Sequence, residues 1–344
     1  MDKIIRKISH DVKLFEETVI INWCLGNTCN YACTYCPPYL HDASMPWLDY
    51  ESVTKFCLMA IDHYKIKSGQ RLFFEFTGGE VTLYKQFLDL IRLLREKEAL
   101  VSIISNGSRR IDFWRKARPY LNHICLSYHP ETAKADEFKE VVAFLNEEVS
   151  VHVNVMMHPN YFETCRELAT WVARDIKDVT LAVQPLIVEF KDQLYPYTAE
   201  QLDFIKNPQL ACNITKEPVK YRGRMRRHYA DGSSDVTTGQ QLISNGENNW
   251  QGWKCSIGVK QIVVDMVGDI YRGWCLEGGK IGNVRDGDKL VFPTAPIICS
   301  KKFCHCVLDT MNEREPTEAL LNYQIQKASK PPREQGGWLS FLKR

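Results

Sequence analysis

The sequence predicts an α/β protein, an open, partial (β/α)6 barrel followed by a smaller β-rich region. Three observations carry this reading. Six short apolar runs alternate with segments of helical periodicity between residues 18 and 188, and each run ends in Gly, Asn, Pro or another polar punctuator. Such alternation implies parallel strands joined by crossover helices, and six units are too few to close an eight-stranded barrel. The pattern then changes near residue 195, where Pro196, Pro208 and Pro218 interrupt a mixed stretch.

The first run, TVIINW (18 to 23), leads into a loop rich in Cys, Asn and Pro that extends to Pro38. A helix is expected from about residue 50 to 64, then the strand RLFFEFTGGE. The next helix, within residues 84 to 98, carries Phe87, Leu90, Ile91 and Leu94 on one face. VSIISNG and a helix follow, then HICLSYHP and a helix over about 136 to 146. VHVNVMMHP precedes the helical ETCRELATWVARDI, and VTLAVQPLIV closes the series. In parallel α/β folds chemistry sits at the C-terminal strand ends, where the polar clusters of this chain also fall. From Val219 the chain reads as β-rich, with a hairpin of KQIVVDM and DIYRGWC about Gly268 and a Cys-dense CSKKFCHC after it. The expected divisions are 1–195 for the barrel, 196–248 for a connecting segment that could contact substrate, 249–310 for the cysteine-bearing β region, and 311–344 for a loosely packed tail.

At 344 residues the chain can form about two domains. Its 44% hydrophobic and 25% charged residues are those of a globular protein, and a net charge of +2 gives no general attraction to polyanions. The N-terminus has no apolar signal-like core and no run reaches the ~18 apolar residues of a membrane span. A cytoplasmic protein with no membrane partner is expected. Thirteen cysteines, an odd number, do not suit a disulfide framework in a reducing compartment. Metal or cluster ligation suits them better.

CNYACTYC sets Cys29, Cys33 and Cys36 at Cys-x3-Cys-x2-Cys. Three thiolates in one loop can hold three irons of a cubane and leave the fourth iron open to another ligand. A zinc knuckle or buried thiols are the plain alternatives. Cys24 lies outside the triplet on the strand side and is read as a packed thiol. Two glycines end the second strand, Gly78 and Gly79, as a close backbone approach to a ligand would require.

The triplet after the first strand, Tyr35 before its last cysteine, and Gly78-Gly79-Glu80 at the end of the second strand closely resemble the radical S-adenosylmethionine (SAM) superfamily. The resemblance implies a TIM-like partial barrel of that type, with a catalytic 4Fe-4S cluster on Cys29, Cys33 and Cys36. SAM would bind the open iron through its amino and carboxylate groups and be cleaved reductively to a 5'-deoxyadenosyl radical. It also implies SAM contacts from Tyr35, Gly78, Gly79 and Glu80, and from polar residues at later strand ends, Ser105, Asn106, Ser127 and Gln184. Helix capping or turn formation is the alternative for the serines and Asn106. Lys134, beyond the fourth strand, is a weak candidate to pair with the SAM carboxylate and supports no assignment.

Cys255, Cys275, Cys299, Cys304 and Cys306 resemble the Twitch or SPASM extensions of that superfamily, with five cysteines where the longer pattern has seven. One auxiliary 4Fe-4S cluster held by four of the five is the expected count, and zinc on the same thiolates is the alternative. Cys57, Cys125, Cys165 and Cys212 are read as core thiols. Lys220, Arg222, Arg224 and Arg226 share one face if KYRGRMR is a strand, either solvated or holding an acid. His129 and His158 end the fourth and fifth strands facing the expected cavity, and Trp250, Trp253 and Trp274 could shield the auxiliary cluster.

The resemblance implies hydrogen abstraction from a small-molecule or peptide substrate, by oxidation aided by the auxiliary cluster or by redox-neutral cyclisation, rearrangement or transfer. A low-potential donor such as flavodoxin or ferredoxin would supply electrons. No leader-peptide-binding domain is recognisable ahead of the barrel, which weighs against a peptide, and nucleic acid is not expected as a partner. An iron–sulfur carrier or sensor is the competing class, disfavoured because a carrier needs four protein ligands and no glycine-lined SAM pocket.

Overall fold

The computed structural model describes residues 3–188, 193–216, 219 and 224–328. In chain order the strands are β1 (Ile5–His10), β2 (Thr18–Cys24), β3 (Arg71–Thr77), β4 (Leu100–Ser105), β5 (His123–Tyr128), β6 (Ser150–Met157), β7 (Val179–Pro185), β8 (Arg224–Tyr229), β9 (Ser234–Thr238), β10 (Trp253–Cys255), β11 (Gln261–Val264), β12 (Asp269–Tyr271), β13 (Lys280–Asn283), β14 (Ile297–Ile298) and β15 (Arg314–Pro316). They form two sheets, each within its own compact unit. Among the described residues, those between 12 and 219 and 257–295 make one unit; 3–11, 224–256 and 296–328 make the other.

The larger unit holds β2 to β7 side by side, parallel and in sequence order, the arrangement of a partial (β/α)6 barrel. β2 is buried along its whole length and β5 likewise, which is why these segments read as unbroken apolar runs rather than alternating ones. Helices Tyr50–Ala60, Phe87–Glu96, Ile111–Ala117, Ala135–Asn146, Phe162–Arg174 and Ala199–Lys206 follow the six strands in turn. The Asp49 side chain caps the first by accepting from the Ser52 amide at 2.8 Å. Phe87, Leu90, Ile91 and Leu94 are buried as their spacing predicts, each contributing about 1.5–3 kcal/mol of burial. Cys165 sits on the buried stripe of Phe162–Arg174 and Cys57 on that of Tyr50–Ala60, both packed thiols. Cys212 differs from expectation, being half-buried outside any helix or strand.

The hairpin about Gly268 exists as β11 and β12, with Gly268 at φ +86° in its turn, but it does not belong to a separate C-terminal body. β11 pairs in parallel with β2, so the barrel sheet has nine strands in the order β13-β12-β11-β2-β3-β4-β5-β6-β7. QIVV is buried at all four positions because it fills the open edge beside β2. The expected 249–310 region is thus divided between two units.

The smaller unit is a six-stranded antiparallel sheet ordered β14-β10-β15-β1-β8-β9. The charged opening of the chain supplies β1. The segment expected to begin a loose tail supplies β15, which lies between β10 and β1. Arg224 and Arg226 share a face of β8, as period two requires, but both grip the Asp11 carboxylate at 2.6 Å; Lys220 and Arg222 lie outside the described residues. One carboxylate thus offsets part of the charge of the two guanidiniums, and the Arg224 side chain stays largely exposed. Among the described residues no helix is long and apolar enough to cross a membrane.

Candidate active site

A cavity of about 420 Å³ opens at the C-terminal ends of the barrel strands, within the ~300–1,000 Å³ usual for small-molecule sites. Cys29, Cys33 and Cys36 form one wall. Gly78 and Gly79, Ser105 and Asn106, Ser127, and Gln184 contribute from the ends of β3, β4, β5 and β7. Residues as far apart in sequence as Cys29 and Gln184 meet here because parallel strands in sequence order all present the same end to one side.

The cysteine loop is held from two directions. From β3, the Gly79 amide donates to the Gly26 carbonyl at 2.9 Å and the Glu80 amide to that of Thr28 at 2.8 Å. A Cβ on Gly78 would meet the Gly26 oxygen at 2.3 Å, and one on Gly79 the Thr28 oxygen at 2.3 Å and the Cys29 nitrogen at 3.0 Å. The neighbour that first demands glycine is therefore the backbone of the cysteine loop itself, a closer constraint than the ligand approach inferred from sequence. From the other side, Glu131 accepts from the Thr34 amide at 2.8 Å and its hydroxyl at 2.6 Å, and lies 3.3 Å from His158 Nε2.

Tyr35 and Glu80 do not line the cavity. Tyr35 is buried, with its hydroxyl 2.8 Å from His129 Nδ1 and its ring stacked on that imidazole. Glu80 is fully buried and accepts from the Thr82 amide and hydroxyl, the Ser105 hydroxyl and the Asn106 amide at 2.6–3.1 Å. Its carboxylate ties the end of β3 to the end of β4, so it is an anchor beneath the wall where a cofactor contact was expected. Burial pushes its pKa up while those donors pull it down.

Burial likewise raises the three thiols, Cys33 and Cys36 each to about 11. Cys29 Sγ receives the Tyr31 amide at 3.4 Å and faces Asn106 Nδ2 at 3.8 Å. Among the described residues no three His, Cys, Asp or Glu side chains converge on a point for one metal ion. A cubane does not ask for that convergence, since its three thiolates bind three different irons. Three thiols on one wall, glycine backbone beside them and polar strand ends opposite are a donor set that fits such a cluster with a polar cofactor at its open iron.

Sequence reasoning missed Cys24, Tyr31, His41, Thr77, Asn154, Met156 and Trp274 as cavity residues. Asn154 and Met156 were detectable, because on β6 they alternate with the buried Val153, Val155 and Met157. Trp274 was not, since only the parallel pairing of β11 brings it here; its indole donates to Asn22 at 3.0 Å. His129 lines the cavity, and burial lowers its pKa to about 4 against the opposing pull of Glu131, so the ring is neutral. His158 does not line it and packs against Tyr35, Tyr161 and Tyr195. Lys134 pairs with Glu137 at 2.8 Å on the surface. Of the later cysteines, Cys275 belongs to the barrel unit and Cys255, Cys299, Cys304 and Cys306 to the antiparallel unit.

Comparison with known proteins adds to this geometry. The sequence model of the radical SAM superfamily matches residues 23–172. Similar solved structures include a histidine-tagged anSMEcpe with bound AdoMet, 18% identical over 79% of this chain and 76% of that one, at a TM-score of 0.47. Streptococcus suis SuiB bound to its precursor peptide SuiA is 12% identical over 80% of this chain, at a TM-score of 0.50. The match spans 66% of SuiB's own length, and at this identity the likeness is one of fold. The cysteine triplet, the paired glycines and most of the parallel strand ends fall within the residues that match the radical SAM superfamily model.

Proposed function

We propose that this chain cleaves SAM reductively at a 4Fe-4S cluster held by Cys29, Cys33 and Cys36, and uses the resulting radical to take hydrogen from a small-molecule or peptide substrate. The observation that carries the reading is the cavity shared by those three cysteines, Gly78, Gly79, Ser105, Asn106, Ser127 and Gln184. When bound, cluster and SAM supply the electron transfer and the 5'-deoxyadenosyl radical. The chain's own residues position and shield. Glu80 and Glu131 fix the cysteine loop, and the polar ends of β4, β5 and β7 can hold ribose, methionyl and adenine groups. Met156, Ile104 and Trp274 add apolar lining. SuiB was solved with a precursor peptide, so peptides belong in any substrate panel beside small molecules. A low-potential flavodoxin or ferredoxin would be the electron source.

A second 4Fe-4S cluster on four of Cys255, Cys275, Cys299, Cys304 and Cys306, in a Twitch-like arrangement, completes the proposal. Its support is that Cys255, Cys299 and Cys304 are buried, with Cys255 on β10 and Cys299 next to β14, the strand paired with it. Redox-neutral chemistry would leave that cluster to bind substrate or tune electrons. Anaerobically reconstituted protein with a strong reductant should convert SAM to 5'-deoxyadenosine and methionine, and Cys36→Ala should abolish this. Cleavage that persists in the triple alanine variant of Cys29, Cys33 and Cys36 would sink the assignment.

A further inference from the structure

Arg314 is a buried arginine of the antiparallel unit, held by carbonyls and an aromatic ring. It lies on β15 and is 3% exposed. Its guanidinium donates to the backbone carbonyls of Asp309 at 2.6 Å, Thr310 at 3.0 Å and Asn312 at 3.1 Å, and lies 4.5 Å from the centre of the Trp250 ring. Asp309 thus offers it a carbonyl oxygen, and among the described residues no carboxylate lies within ion-pair distance of it. Carbonyl dipoles and an aromatic face hold a cation without cancelling its charge. A buried guanidinium with no ion-pair partner is costly enough that folds rarely keep one without an anion nearby.

Sheet register shows what lies beside it. Arg314 is the direct partner of Cys255 across β15 and β10, so both side chains project from the same face. Extending the pairing of β10 with β14 by one residue sets Cys299 opposite Trp253. The Cys299 amide donates to the Trp253 carbonyl at 2.8 Å, and its carbonyl accepts from the Gly252 amide at 2.9 Å. Trp253 and Cys255 are two apart on one strand, so Cys299 also shares the face. Cys304 is pinned in the same unit, its amide donating to the Asn248 carbonyl at 3.0 Å and its own carbonyl accepting from Asn248 Nδ2 at 2.9 Å. Thr310 links Cys304 to the arginine, its hydroxyl donating to the Cys304 carbonyl at 3.3 Å and its own carbonyl accepting from Arg314 at 3.0 Å. Thiolates bound to a metal or cluster carry net negative charge, which a buried arginine on the same face can offset.

We propose that Arg314 is the built-in counter-charge of an anionic metal–thiolate site on this face of the antiparallel sheet, with Cys255 and Cys304 among its ligands. The inference rests on the auxiliary-cluster reading for the identity of the metal, and on the sheet geometry for the role of the arginine. Arg314 is a positioning and charge-compensating residue and touches no substrate.

The test uses the full chain with Cys29, Cys33 and Cys36 replaced by alanine, so that only the C-terminal site remains. Arg314, Arg314→Lys and Arg314→Met forms are reconstituted with ferrous iron and sulfide, or with zinc, and compared with chelator-treated, metal-free protein. Elemental content and thermal unfolding are measured for each. Arg314→Met should retain metal roughly 10–100-fold more weakly, as loss of an outer-shell partner does, and should lower the unfolding temperature of the loaded form. In the metal-free form it should cost distinctly less, because there only the hydrogen bonds to the Asp309, Thr310 and Asn312 carbonyls are lost and no counter-charge. Arg314→Lys should stay with the parent. If iron binds, Arg314→Met should also shift the cluster's reduction potential to more negative values. An equal loss of stability with and without metal, or a lysine variant as damaged as methionine, would reduce the arginine to a packing role and overturn the proposal. A background protein that takes up no metal overturns both this inference and the auxiliary-cluster reading. Zinc uptake without iron overturns the cluster reading alone, and the loaded-versus-empty difference still decides the arginine's role.

Discussion

The two cysteine regions are built on opposite principles. In the barrel, Cys29, Cys33 and Cys36 sit in one eight-residue loop, and the fold's work is to clamp that loop from outside, through the β3 end and Glu131. In the antiparallel unit Cys255 lies on β10, Cys299 just after β14, and Cys304 and Cys306 in the loop beyond, so the pairing of β10 with β14 decides which of them face one another. A local ligand set can be read from spacing. A set assembled by register can only be counted until the pairing is known.

The sharpest way to break this contrast is Gly79→Val. Its side chain would enter the space of the Thr28 oxygen and the Cys29 amide, an overpacking worth about 1–3 kcal/mol where backbone cannot give way. Reconstituted Gly79→Val is expected to lose the barrel's iron and SAM binding together while keeping the C-terminal metal. Elemental analysis with a SAM-binding assay checks this. Loss of SAM binding with a full iron complement would return the glycine to a purely ligand-facing role.

Second in its effect on the cysteine site, though larger in its cost to the fold, is Glu80→Ala. It leaves the donors of Thr82, Ser105 and Asn106 buried without an acceptor, at roughly 1–3 kcal/mol for each group that water cannot reach. The expected outcome is a lower unfolding temperature already in the metal-free protein, which a side chain used only to contact SAM would not produce. Glu131→Ala should be milder. Hydrogen exchange at the Thr34 amide should speed up and iron occupancy of the barrel site fall, with overall stability down by about 1–3 kcal/mol, because this carboxylate holds one stretch of the loop where Glu80 joins two strands. Exchange at Thr34 unchanged by Glu131→Ala would remove the second clamp.

Much of the barrel was legible because each parallel strand is a short apolar run with its own stop signal, and the helices between carry plain stripes such as Phe87, Leu90, Ile91 and Leu94. The cysteine triplet and paired glycines were legible for the same reason, as local patterns at strand ends. What escaped is long-range pairing. Nothing in IRKISH announces a partner more than 200 residues away, and nothing in QIVV tells a parallel edge beside β2 from a hairpin in a separate domain. Glu80 shows the finer limit, since spacing placed it at the site and only the hydrogen bonds show that it faces the fold instead of the cavity.

The central claim is that the two regions hold different centres and that only the barrel's answers to SAM. Electron paramagnetic resonance of the reduced protein, recorded with and without SAM, tests it in two variants: the triple alanine variant of Cys29, Cys33 and Cys36, and the double alanine variant of Cys255 and Cys304. The signal of the double variant should change when SAM binds, while the triple variant should keep a signal that SAM leaves untouched. A SAM-sensitive signal in the triple variant, or an insensitive one in the double, would contradict the account.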